Sequence, residues 1–146
     1  MASDLTDFSC GVIPWRQLPG EPRKYLLIQH NAGHWSFPKG HPEDGDTSDL
    51  ATARRELAEE TGITEVTLLE SPCFDEAYGF RDPQGNWVDK TVRYFLGEID
   101  PQAGDPVVQV EEIQAAVWVD APGTRRMLSF DEGRRLLDLA EAHLNA

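Results

Sequence analysis

The stretch PKGHPEDGDTSDLATARRELAEETGI, Pro38 to Ile63, decides how the chain folds and where its chemistry lies. Its second half is periodic. Leu50, Ala53 and Leu57 recur at spacings of three and four, which aligns them on one face of a helix. Asp46, Thr47 and Ser48 are each competent N-caps and Gly62 is a natural stop, so the pattern predicts a helix over 46–61. Glu56, Glu59 and Glu60 share a second face, rotated roughly a quarter to a third of a turn from the apolar one. Like charges at these spacings weaken a helix by roughly a few tenths of a kcal/mol per pair. Carboxylates near a C-terminal end also oppose the helix dipole. Mg²⁺ or Mn²⁺ would reverse that repulsion, because hard cations take carboxylate oxygens together with substrate phosphates. A solvated acidic face without function is the competing reading of the helix taken alone.

The loop ahead of the helix supplies context. Gly40 and Gly45 permit tight turns or close backbone approach, so carbonyl oxygens and a phosphate can reach the helix face. Lys39 is placed to meet a phosphate as a point charge. Arg55 stands beside the acidic face and is expected to orient a carboxylate, with Asp46 or Glu59 as its partner.

Around this segment the chain reads as strands, helix, strands, helix. Cys10–Trp15 and Lys24–His30 form a hairpin with a long loop, and Trp35–Phe37 a short strand. Glu65–Glu70 follows the helix as a strand. Arg81–Asp89 carries turn signals and reads as a hairpin tip. Thr91–Ile99, rich in β-branched and aromatic residues, is the clearest strand, and Ile113–Val119 is a further one. Phe130–Leu144 is a second helix with Leu136, Leu137, Ala140 and Leu144 inward. Two amphipathic helices and several apolar strands predict an α/β fold, a sheet between helices, in a single domain over 1–146.

Composition narrows the function. The 146 residues carry a net charge of −13, with 26 Asp plus Glu against 13 Lys plus Arg. Such a surface repels nucleic-acid backbones and anionic membranes, although bound cations can invert the field locally for a phosphorylated small molecule. No basic-then-apolar leader is evident and no stretch approaches a membrane span. Cys10 and Cys73 are too few for a disulfide scaffold and are expected in or near the core. A reduced cytoplasmic setting follows as the expectation, with the chain a monomer or homodimer.

The segment resembles the Nudix hydrolases. Their signature ends in Arg-Glu, an aliphatic, any residue, Glu-Glu, any residue, glycine and an aliphatic, which Arg55 to Ile63 match throughout. The front departs from it. Five residues after Gly40 stands Asp46 where the family has glutamate, and eight residues instead of seven separate it from Arg55. An additional residue near Thr47–Asp49 accounts for this. The resemblance implies a Nudix-type α/β/α sandwich with a mixed sheet and the box at 40–63. It also implies divalent-cation-dependent hydrolysis of nucleoside diphosphate linkages. Glu56 and Glu60 become the main metal ligands, with Glu59 a ligand or close neighbour and the Gly40 carbonyl a further donor. The family brings one more glutamate from a distant loop, here Glu112 or, one residue away, Glu111; the flanking pattern favours Glu112. The catalytic set is then Glu56, Glu59, Glu112 and Arg55, with the general base divided among the glutamates and leaning to Glu112.

HWSFPKGH, KTVRYFLGEI and VWVD further resemble the diadenosine tetraphosphate hydrolase branch. That implies cleavage of dinucleoside polyphosphates. Lys39, His41, Tyr94, Lys90 and Arg93 are the substrate-side candidates. Phe74, Tyr78, Phe80, Trp87 and Tyr94 are aromatics available to an adenine. Nucleoside triphosphates, inositol pyrophosphates and RNA 5′ ends remain alternatives, as does a non-catalytic nucleotide-binding module.

Overall fold

The computed structural model describes residues 4–146. Its elements in chain order are β1 (Asp4–Arg16), β2 (Lys24–His30), β3 (Trp35–Ser36), β4 (Lys39–Gly40), α1 (Asp49–Thr61), β5 (Val66–Arg81), β6 (Trp87–Ile99), β7 (Ile113–Asp120), α2 (Ala121–Met127) and α3 (Asp131–Leu144). The strands make one mixed sheet in the order β3-β2-β1-β6-β5, with β4 attached to β1 and β7 to β2. β1 runs parallel to β6 from Asp4↔Trp87 to Trp15↔Glu98, while β5 and β6 form an antiparallel hairpin. Each face of the sheet buries its own cluster. Cys10, Val12, Leu26 and Phe95 pack under Ala53 and Leu57 of α1. Ile13, Leu27, Phe37 and Tyr94 pack with Leu136, Leu137 and Ala140 of α3. The sheet between helices is therefore the predicted one.

The boundaries differ in instructive ways. Helix α1 begins at Asp49, three residues later than predicted, because Ser48 is the cap that acts: its Oγ accepts from the Ala51 N–H at 3.1 Å. Asp46–Ser48 thus precede the helix, where an additional residue disturbs no helical register. At the other end Gly62 takes φ 73° and its N–H donates to the Ala58 carbonyl, a left-handed stop that favours glycine. β1 starts at Asp4, well before the predicted Cys10, because the polar stretch DLTDFS takes its ladder from β6. The segments expected as a strand at 65–70 and an aromatic stretch at 74–80 are one strand, β5, with a register irregularity between Leu68 and Cys73. The hairpin tip tightens to Asp82–Asn86, where the Asp82 N–H donates to the Asn86 carbonyl. Cys10 is buried, but Cys73 is exposed on β5. Helix α2 was not predicted; Asp120 caps it by accepting from the Gly123 N–H. Among the described residues no helix is long and apolar enough to cross a membrane.

Candidate active site

The acidic ridge of α1 faces an open cleft of about 490 Å³, lined by Lys39, Gly40, His41, Glu56, Glu59, Glu60 and Glu112 among others. Burial is graded along the ridge. Glu60 is 3% exposed, the Glu56 side chain is 13% exposed and that of Glu59 is 42% exposed. Strand β4 lies directly against the ridge. The Lys39 N–H donates to Glu60 Oε1 at 2.9 Å, and a Cβ on Gly40 would fall 2.0 Å from the Glu56 carboxyl carbon. Glycine at 40 is what lets the carboxylate and the loop backbone occupy the same corner.

The energetics follow the burial. The Glu60 carboxyl is pushed up to about 8, first by burial and then by the Glu56 charge, against the Lys39 N–H and ammonium. Burial likewise raises Glu56, opposed by its hydrogen bond from Arg55 and reinforced by the Glu59 charge. Arg55 is the local counterweight. Its Nε and Nη2 donate to Asp46 at 2.9–3.3 Å, Nη2 also to the His41 carbonyl at 2.8 Å, and Nη1 to both Glu56 and Glu59 at 3.0 Å. Both proposed partners, Asp46 and Glu59, are thus engaged. Asp46, at the position where the box departs from its pattern, is held well below the usual carboxylate range chiefly by the Arg55 guanidinium. Its Oδ2 also accepts from the Glu43 N–H and the Thr52 hydroxyl. Among the described residues no three Asp, Glu, His or Cys side chains form a ready coordination shell; the Arg55 guanidinium lies between Glu56 and Glu59.

The two candidates for the distant glutamate differ in where they lie. Glu112 lines the cleft and its charge is felt at Glu60, whereas Glu111 does not line it. The loop is pinned by Asn31, whose backbone N–H donates to the Glu112 carbonyl at 2.9 Å and whose side-chain amide donates to the Glu111 carbonyl at 3.0 Å.

The substrate-side candidates separate by strand parity. Lys90 and Tyr94 lie on the α3 face and Arg93 on the α1 face. Lys90 is 4% exposed and its Nζ donates to Asp7 and Ser9 at 2.8 and 2.6 Å, with His41 Nε2 at 3.3 Å. Arg93 is not brought to the cleft: it forks onto Asp75 at 2.9 and 3.1 Å and reaches Asp49 at 3.1 Å. His41 sits at the rim beside Asp7. Tyr94 is 2% exposed, edge-on to Phe37 at 6.3 Å, within the α3-side cluster.

Tyr94 also forms part of a second cavity, of about 410 Å³, with Trp35, Phe37, Tyr78, Leu128, Phe130 and Leu136 in its wall. Of the aromatics noted in the sequence, Tyr78 and Tyr94 reach it, while Trp87 turns away to cover Gly79. Lys39 lines both cavities. Burial lowers its pKa, as does the charge of Lys90, against the pull of Glu76, Glu60 and Asp7. Glu76 was missed in the sequence. It is 8% exposed in the wall of the apolar cavity, and burial raises its carboxyl pKa against the influence of Lys39.

Residues 14–135 match the NUDIX domain. The chain belongs to the NUDIX family. It is an enzyme acting on phosphoric anhydride bonds, a Nudix-type pyrophosphohydrolase. Its similarity extends well beyond the box. It is 33% identical over 145 residues to the mouse (Mus musculus) bis(5′-nucleosyl)-tetraphosphatase (asymmetrical), covering 88% of this chain and 89% of that protein. The pig (Sus scrofa) protein of the same description is 34% identical over 143 residues, with the same coverage. A crystal structure of a C. elegans Ap4A hydrolase binary complex superposes with a TM-score of 0.81 at 27% identity, covering 95% of this chain and 98% of that one.

Proposed function

We propose that this Nudix protein hydrolyses dinucleoside polyphosphates, cutting diadenosine tetraphosphate into ATP and AMP in a Mg²⁺- or Mn²⁺-dependent reaction. The observation that carries this reading is the junction at Lys39, where an apolar, aromatic cavity meets an acidic cleft. A nucleoside in the first leaves its phosphate chain running past the Lys39 ammonium toward the carboxylates. The mouse and pig relatives carry the corresponding activity in their descriptions.

The donor set fits hard divalent ions. Glu56, Glu59, Glu60 and Glu112 offer carboxylate oxygens, Gly40 can add a carbonyl, and among the described residues no thiol lines the cleft; oxygen donors of this kind suit Mg²⁺ or Mn²⁺. Such ions, when bound, neutralise phosphate charge and make water more acidic. The chain supplies the rest. Glu56 and Glu60 would hold the cation, and the Lys39 N–H fixes the Glu60 carboxylate in place. Arg55, anchored on Asp46, keeps Glu56 and Glu59 aimed into the cleft. Glu112, on the opposite loop and away from that hydrogen-bonded network, takes the proton from the attacking water. Lys39 stabilises charge on the phosphate nearer the nucleoside, and His41 offers a donor at the rim.

The test is a substrate panel in Mg²⁺ with product identification: diadenosine tetraphosphate, deoxynucleoside triphosphates, sugar nucleotides, inositol pyrophosphates and triphosphorylated RNA. Diadenosine tetraphosphate should give ATP and AMP in equal amounts, with kcat/KM at least about tenfold above the others, the discrimination expected of a site that holds the non-reacting part of its substrate. Equal turnover across the panel, or two molecules of ADP, would contradict the proposal.

A further inference from the structure

Besides Lys39, the polar side chains of His34, Ser36, Glu76 and Glu132 line the apolar cavity, and Glu76 alone among them is buried; no part of the hydrolytic chemistry uses it. Glu76, on β5, is 8% exposed and lines the cavity together with Tyr78, Tyr94 and Leu136. Strand alternation puts it there: Phe74, Glu76 and Tyr78 point to the α3 face, while Asp75 points to the α1 face and pairs with Arg93. Among the described residues no hydrogen bond and no ion pair involves the Glu76 carboxylate. Lys39, Glu132, Arg135 and Lys90 influence it through space only; Arg135 gives its hydrogen bonds to the Asp75 carbonyl and to Glu132.

A largely buried carboxylate without a protein donor is costly, and hydrocarbon would fill the wall at less cost. Its oxygens accept and do not donate when ionised. It therefore complements a cavity ligand that brings an N–H into a largely apolar space. The aromatic walls of Trp35, Phe37, Tyr78 and Tyr94 suit a flat ligand that is apolar on its faces, and Lys39, in the same wall, leads from this cavity to the acidic cleft, which suits one attached to phosphate. A nucleobase meets all three requirements, and its exocyclic amino group supplies the missing donor.

We propose that Glu76 selects the base, accepting a hydrogen bond from the exocyclic amino group of a purine seated in the apolar cavity, so that 6-amino purines are held in preference to 6-oxo purines. The inference rests on the reading that this cavity takes the nucleoside. With the 6-position held against Glu76, a 6-oxo group turns its lone pairs on the carboxylate, and the neighbouring N1–H reaches the carboxylate only if the ring shifts in the cavity; sites built to pair with a substrate N–H discriminate strongly against the analogue that lacks it at that position.

Binding of AMP and IMP tests this without relying on turnover, because neither contains an anhydride bond. Dissociation constants are measured calorimetrically at pH 8 in Mg²⁺ for the wild type, Glu76→Gln and Glu76→Met. The wild type should bind AMP at least about tenfold more tightly than IMP. In Glu76→Gln the amide can turn its NH₂ toward the 6-oxo group, so the ratio should fall severalfold through tighter IMP binding. Glu76→Met should bring it within about threefold of unity through weaker AMP binding. A wild type that holds AMP and IMP equally, or binds neither, overturns the proposal. So does an equal loss of both nucleotides in the variants, which would make Glu76 a counter-ion of Lys39 or a packing residue. The outcome is separable from the substrate panel: a Glu76-dependent AMP preference stands even if another adenine nucleotide proves to be the substrate. Loss of that preference removes the inference even if diadenosine tetraphosphate is cleaved.

Discussion

Replacing Glu60 by Gln should make the metal-free protein more stable and the enzyme nearly inert. Glu60 is 3% exposed and its carboxyl titrates near 8 in the folded chain, against an ordinary value of 4.5. Between those pH values the folded state keeps a proton that the unfolded chain has released, so stability falls as pH rises, by about 1.4 kcal/mol per pH unit. The loss is complete above the folded value, and over the whole window it reaches roughly 5 kcal/mol as an upper figure, with a few kcal/mol a realistic expectation. Glutamine has the same shape, carries no charge and can still accept from the Lys39 N–H. Urea unfolding in EDTA should therefore show Glu60→Gln more stable than wild type by a few kcal/mol at pH 8, with the difference vanishing near pH 4.5. Saturating Mg²⁺ should restore the wild type and leave the variant unchanged. Turnover in Mg²⁺ should fall at least about 100-fold. A stability difference independent of pH, or a wild type indifferent to Mg²⁺, would refute the reasoning.

Gly40→Ala should cost at least about tenfold in kcat, as misplacement of a catalytic group does, because its Cβ would collide with the Glu56 carboxyl; circular dichroism should show the fold retained. Glu112→Gln should reduce kcat by about 100-fold, in the range of general-base loss, while Glu111→Gln, outside the cleft, should leave steady-state rates near wild type. Asp46 is held below its ordinary value by Arg55, so it stabilises the fold above about pH 4, and that contribution is lost as pH falls through its lowered folded value. An acid-unfolding titration of Asp46→Asn should lack this component; an unchanged profile would mean that the Asp46–Arg55 pair forms equally in the unfolded chain.

The site was legible where chemistry is written into a local period. Glu56, Glu59 and Glu60 share a helix face that Leu57 and Ala53 orient, so position alone brought them together. The start of α1 was less legible because Asp46, Thr47 and Ser48 cap equally well in isolation; Arg55, nine residues on, claims Asp46 and leaves Ser48 to cap. Lys90 and Arg93 look alike in a linear reading, yet odd and even positions of β6 face opposite layers, which gives Arg93 to Asp75 and Asp49. The polar opening of β1 shows no strand alternation of its own and takes its conformation from β6. Glu76 carried no signal, since its burial is created by α3 and by cross-strand neighbours distant in sequence. Helix α2 is short, and its Pro and Gly argue locally against a helix.

Paramagnetic line broadening by substoichiometric Mn²⁺, read on the backbone amide resonances of the isotope-labelled protein with AMP present, asks most directly where the cation resides. Broadening should centre on residues 39–41, 56–60 and 112, and should be lost in Glu60→Gln. Broadening centred on any other acidic patch, with the α1 ridge unaffected, would contradict the assignment of this helix as the cation site.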